Sequence, residues 1–205
     1  MRKILTQKFF NRDTKTIAQE LLGKYLVRKI GDREVSVMIT ETEAYDGLQD
    51  KASHASKGKT ARTEIMFGEA GYWYVYLCYG MYYMLNIVTR EVGYPAAILI
   101  RGGVCHSEQR EESRCCQQKA TGFFGSPAGG CPQNDKLDGP GKLTKFLQID
   151  KSFNCKKADK ISGLWFEDRG ISIQEKNIQK TPRIGVAYAG SVWSKKKMRF
   201  VLKNL

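Results

Sequence analysis

The stretch Tyr72-Trp73-Tyr74-Val75-Tyr76-Leu77 constrains this chain more than any other. Side chains on an extended strand alternate between its two faces. A strand here therefore puts Tyr72, Tyr74 and Tyr76 on one face and Trp73, Val75 and Leu77 on the other, and Gly80 interrupts it. Seven aromatics in the twelve residues 72–83 exceed what one core strand needs. The second aromatic face is left for something flat.

Charge says what that partner looks like. The chain has 34 Lys+Arg against 21 Asp+Glu over 205 residues, a net charge of +13. Residues 151–205 alone hold 13 basic and 4 acidic side chains, and Lys195–Arg199 sit among apolar residues, as on structured surface. Such an excess attracts nucleic acid, an anionic membrane or an acidic protein. Ring faces stack on nucleobases, at about 1–3 kcal/mol per base, and the combination favours a base-stacking site. No apolar run is long enough to span a bilayer as a helix. The polar start Met1–Lys8 does not read as a signal peptide. The expectation is a cytoplasmic protein with no membrane association. The length suits one domain.

Along the chain, residues 14–23 read as a short amphipathic helix with Asp13 as N-cap and Gly23 as stop. Residues 25–30 and 34–39 read as strands about a Gly31-Asp32 turn, the second running into Glu41–Tyr45. Residues 46–71 form a long polar connection, and long ordered loops are often functional. Ala96–Arg101 is a further strand, and Pro140–Leu147 a helix opened by Asp138-Gly139. Trp165-Phe166, Ile171–Ile173 and Ile184–Tyr188 read as short strands. Strands with few helices between them predict an α+β domain over a doubly wound sheet.

Residues 102–136 lack a core period, although a short helix near 107–118 is compatible with them. About 103–133 reads as a surface insertion. Four of the six Cys fall between 105 and 131, without the paired Cys-x₂-Cys spacing of structural zinc. No metal is expected, and with no secretion signal the thiols are expected to be reduced.

The residues able to do chemistry concentrate in 41–101. They are a strand-end carboxylate (Glu43), a nearby ring (Tyr45), His54, the Tyr cluster, Asn86, and Arg101 closing an apolar strand. Each alone has an ordinary structural reading. Together they suit stacking of a base beside a carboxylate that activates water, with an arginine to hold both in place. Composition and the Tyr cluster also permit a non-catalytic nucleic-acid-binding module. The Glu43–Arg101 pair argues for catalysis, since a carboxylate in a phosphate-facing cleft is a liability without a chemical task.

Glu41-Thr42-Glu43-Ala44-Tyr45, His54, Met66-Phe67, Gly71-x-x-Tyr74-Val75-Tyr76-x-x-Tyr79-Gly80-Met81-Tyr82-x-x-x-Asn86-Ile87, Leu99-Ile100-Arg101, Gly139–Leu143 and Arg183–Val186 together resemble the alkyladenine (3-methyladenine, N-methylpurine) DNA glycosylase family. The resemblance spans the chain except about 103–133. It implies a single α+β domain with a curved antiparallel sheet flanked by helices. It also implies a monomer that excises alkylated purines from damaged double-stranded DNA, with no cofactor, in the cytoplasm at the nucleoid. By the same likeness Glu43 is the general base and Arg101 orients it and the water. Tyr45, His54 and Tyr76 hold the extruded base, and Asn86 screens against guanine. Tyr79 enters the minor groove, where Met81 and Tyr82 adjoin it, and Gly141 and Lys142 meet a phosphate. A relative acting on RNA or another nucleotide-like group, or a glycosylase inactivated by the insertion, are the alternatives.

Overall fold

The computed structural model describes residues 2–105 and 136–203. Among the described residues, ten strands form one antiparallel sheet, and four short α-helices accompany it. The strands are β1 (Lys3–Ile4), β2 (Tyr25–Ile30), β3 (Arg33–Asp46), β4 (Trp73–Cys78), β5 (Tyr82–Val88), β6 (Ala96–Cys105), β7 (Lys136–Asp138), β8 (Leu164–Asp168), β9 (Ile178–Thr181) and β10 (Arg199–Leu202). The helices are α1 (Gln7–Phe10), α2 (Thr14–Glu20), α3 (Pro140–Phe146) and α4 (Gly190–Lys195). The central order is β1-β8-β2-β3-β6-β5-β4. This is the expected α+β single domain.

The 14-residue β3 organises the sheet. One edge pairs with β6. The other pairs first with β2 and then, at Glu41–Glu43, with β10. Alternation sorts the side chains. Val37, Ile39 and Ala44 of β3, Trp73 and Val75 of β4, Leu85 and Ile87 of β5, and Ile98 and Ile100 of β6 are buried in the main core. Ile17 and Ala18 of α2, Leu21 just after it and Leu143 of α3 close that core. Thr42 points the same way and donates to the Ala18 carbonyl at 2.8 Å. Burying each such aliphatic side chain is worth about 1.5–3 kcal/mol, so this layer carries much of the stability. Glu41, Glu43 and Tyr45 face the opposite side.

Local signals account for much of this. Asp13 caps α2 by accepting from the Thr16 backbone N–H, as expected. Tyr79 and Gly80 both adopt positive φ (51° and 69°), and the Met81 N–H donates to the Cys78 carbonyl, making the tight β4–β5 turn. Such mirror-image turns match the strand twist. A tyrosine in this conformation is strained.

Several expectations are corrected. Ile171–Ile173 is not a strand: it packs over the start of β2, with the Ile171 carbonyl near Lys24. The strand beside β10 is β9. Ile184–Tyr188 is not a strand either. It is a loop and a 3₁₀ turn (Ala187–Ala189), because Gly185 takes φ +75° and the Ile184 N–H is used elsewhere. Arg101 does not end its strand, since β6 continues to Cys105 and pairs with β3 and β7 there. Residues 103–105 are thus sheet, not insertion. The rest of the expected insertion, and the expected helix near 107–118, lie outside the described residues. Cys105 is disulfide-bonded, against the expectation of reduced thiols. Cys78 and Cys155 are free.

Candidate active site

The second face of β3, β6, β5 and β4 carries the site. Glu43 pairs with Leu99, Leu99 with Asn86, and Asn86 with Tyr74, so one lateral row crosses four strands. Arg101 reaches this face through irregular pairing. Thr42 pairs with Ile100 and Glu41 with Gly102, which leaves Arg101 as the extra residue of a bulge; the next step, Glu41 to Ile39, leaves Thr40 extra on β3. Bulges re-aim side chains and gather at active sites.

Glu43 is fully buried. Its Oε1 accepts from the Ile184 N–H at 2.9 Å, and its Oε2 from the Tyr45 hydroxyl at 2.8 Å. Arg101 Nε lies 3.6 Å from Glu43 Oε1 but only 2.7 Å from Glu41 Oε1. Burial pushes the Glu43 carboxyl above its ordinary 4.5, with Glu41 adding to the rise, while the Ile184 N–H, Arg101 and the Tyr45 hydroxyl oppose it. Tyr45 stays protonated well beyond its usual range, because burial and the Glu43 charge both disfavour a phenolate. The carboxylate keeps partners that stop short of a direct, aligned arginine pair.

Below Tyr45 lies a buried ion pair. Arg183 grips Asp50 through two nitrogens, at 2.5 and 2.8 Å, and also donates to the Ala44 carbonyl at 2.8 Å. Both side chains are 0% exposed. The guanidinium lies 4.7 Å from the Tyr45 ring centroid. One residue on, Ile184 presents its N–H to Glu43. Arg183 thereby fixes a ring and a carboxylate together.

Tyr45, His54, Tyr74, Tyr76, Asn86 and Tyr188 line a cleft. His54 enters on the 3₁₀ turn His54–Lys57, capped by Ser53. Its Nδ1 is 2.9 Å from the Tyr74 hydroxyl oxygen, and its ring meets Tyr76 edge-on at 4.8 Å. Burial, then the charges of Arg62 and Lys57, lower its pKa to about 4. His54 is therefore neutral at physiological pH. Asn86 is buried and donates its amide hydrogens to the carbonyls of Tyr74 and Met84, at 3.0 and 3.2 Å.

The remaining candidate residues are not among those lining the cleft. Tyr79 is 87% exposed at the hairpin tip, with Met81 and Tyr82 beside it also exposed. Gly141, in the first turn of α3, lies so close to Tyr82 that an added Cβ would fall 2.7 Å from its ring. Lys142 is exposed and pairs with Asp138 at 2.5 Å. No group of three or more His, Cys, Asp or Glu side chains suited to a metal occurs among the described residues, and no helix there is long and apolar enough to cross a membrane.

Sequence reasoning gave no role to Glu41, Asp50, Arg183 or Tyr188. Glu41 carried a signal, since i and i+2 on a strand share a face. Arg183 pairs across 133 residues with Asp50, which no local pattern shows.

His54 makes stability pH-dependent. Its pKa is 6.5 unfolded and about 4 folded. Between these values the unfolded chain binds a proton that the fold rejects, so stability falls as pH drops through that window. Thermal melts at pH 7 and 5 should show a larger acid loss for wild type than for His54→Gln. Equal losses would remove His54 as the cause.

A buried, hydrogen-bonded carboxylate thus lies beside an aromatic cleft in a strongly basic protein. A family model described as methylpurine-DNA glycosylase matches residues 8–205. A relative from Methanocella arvoryzae is 43% identical over 187 residues, covering 91% of this chain and 86% of its own. Another, from Legionella pneumophila (strain Paris), is 41% identical over 204 residues, covering 100% and 96%. A third, from Ehrlichia chaffeensis, is 39% identical over 202 residues, covering 98% and 94%. All three are named as 3-methyladenine DNA glycosylases. The chain belongs to the methylpurine-DNA glycosylase family.

Proposed function

We propose that this protein flips alkylated purines such as 3-methyladenine out of damaged duplex DNA and hydrolyses the N-glycosidic bond, leaving an abasic site. The observation that carries this reading is Glu43, fully buried yet hydrogen-bonded by Ile184 and Tyr45 at the edge of an aromatic cleft. A base cannot be reached inside the stack, so its nucleotide must be extruded, at a cost of a few kcal/mol. Tyr79, held out by a strained turn, fills the vacated space in the minor groove, with Met81 and Tyr82 against it. Tyr45, Tyr76 and His54 hold the extruded base. A cationic methylpurine is attracted to tyrosine faces, and a neutral His54 does not repel it. Asn86 excludes guanine by clash with its exocyclic amino group.

Glu43 takes a proton from water as the water oxygen bonds to the sugar C1′. The C1′–N bond breaks and its electron pair leaves with the base, which departs neutral. Arg101 orients Glu43 and the water. The reaction uses no lysine nucleophile, so the backbone stays uncut. Lys142 and the backbone of Gly141 contact a phosphate, and the +13 charge supplies non-specific grip on DNA. The enzyme acts as a monomer in the cytoplasm, on nucleoid DNA, without metal or organic cofactor.

Release of free methylpurine from methylated duplex DNA with a chelator present tests the reading. A protein that binds such DNA and releases nothing is a binding module instead. Tyr79→Ala should weaken binding to lesion and abasic duplexes at least about fivefold, the low end of what one stacked ring contributes. Unchanged affinity would remove the wedge role.

A further inference from the structure

Glu41 has no part in the proton transfer described above, yet it sits at the centre of the charge cluster. Its Oε1 is 2.7 Å from Arg101 Nε and 2.5 Å from Arg199 Nε. Arg101 Nε is a full 0.9 Å farther from Glu43 Oε1, at 3.6 Å. The flanking bulge residues, Thr40 on β3 and Arg101 on β6, set this arrangement locally. Gly102, opposite Glu41, leaves the carboxylate room: a Cβ there would lie 3.3 Å from Glu41 Oε2. A guanidinium between two carboxylates goes to the nearer one. Were Glu41 absent, the same Arg101 would be free to close on Glu43 as a direct ion pair.

We propose that Glu41 is a positioning residue that takes the closer share of Arg101, keeping the guanidinium beside Glu43 without letting it pair with and quench that carboxylate. The inference rests on Glu43 being the general base. A base must keep its affinity for protons to be useful, and direct pairing with Arg101 would spoil it. The groups facing Glu43 are Glu41 and Tyr45 from β3, Arg101 from β6, Arg199 opposite it on β10, and Arg183, Ile184 and Tyr188 from the loop after β9. Of the carboxylates, Glu41 is the one that shares Arg101 with Glu43.

The test is single-turnover release of 3-methyladenine from a duplex, measured across pH, with affinity and melting temperature followed in parallel. Glu41→Gln should slow the chemical step about tenfold to a hundredfold, the scale of a misplaced catalytic group. Lesion-DNA affinity should stay within about twofold. The acid limb of the rate should move to lower pH, because Glu43 loses a negative neighbour and gains Arg101. Glu41→Asp keeps the charge and should return the acid limb to the wild-type position with a smaller rate loss, and it serves if the Gln variant does not fold. A wild-type rate and limb in Glu41→Gln would overturn the proposal, as would an Asp variant whose limb moves as far as that of the Gln variant. Glu43→Gln run alongside separates the two claims. If it releases base at the wild-type rate, the underlying reading fails. If it is inactive while Glu41→Gln behaves as wild type, only the positioning role fails.

Discussion

Glu43→Gln is expected to lower base release by about 10²–10⁴-fold, the range a general base contributes, while lesion-DNA binding is kept. Glutamine retains the shape that accepts from the Ile184 N–H and lies against Tyr45. It cannot take a proton from water. Removing this charge also relieves a burial cost, since desolvation is the largest influence on Glu43, so the variant should melt no lower than wild type. For the same reason wild-type release should fall on acidification at a pH above that of an ordinary glutamate. In the proposed mechanism release needs the carboxylate, and burial raises the pH at which Glu43 takes up its proton. A Gln variant that released base at the wild-type rate would contradict the role given to Glu43.

The second large effect is on the fold. Arg183→Ala strands Asp50 in a site with no solvent, and breaking a buried pair from one side costs about 3–5 kcal/mol. For a chain of this length that corresponds to a melting temperature lower by roughly 6–20 °C. Arg183→Lys keeps the charge but loses the two-pronged grip on Asp50 and the planar contact with Tyr45, so an intermediate loss is expected. Arg12→Gln provides the contrast. Its pair with Glu20 is 41% exposed on each side, and such pairs are worth about 0–1 kcal/mol. Melting curves check all three, and Arg183→Ala melting within about 2 °C of wild type would contradict the assigned role. The loss should also reach the chemistry, since Arg183 carries the loop from which Ile184 addresses Glu43.

What could be read from the sequence was local. The two-residue period of 72–77 sorts Trp73 and Val75 into the core and Tyr74 and Tyr76 onto the cleft face, as the structure has it. The Asp13 cap, β2 and the first turn of α3 follow from neighbouring residues. The gathering of Tyr45, His54, Tyr76 and Asn86 into one cleft was suggested by their residue types and by the family likeness, and the structure brings them together. Tertiary pairing escaped that reading. Ile184–Tyr188 has the composition of a strand, but Glu43 claims its first backbone N–H. The bulge that turns Arg101 toward two carboxylates exists only once β3 and β6 are paired. Asp50, polar and in a long connection, gives no hint that it meets Arg183 in the interior.

The most direct measurement is single-turnover release from a duplex holding one 3-methyladenine, beside the same duplex undamaged, both in the presence of a chelator. The expected result is free methylpurine from the first duplex only, with its sugar–phosphate backbone intact until alkali is added. Tight binding to the lesion with the base still attached would contradict the claim that this cleft and its buried glutamate cut the glycosidic bond.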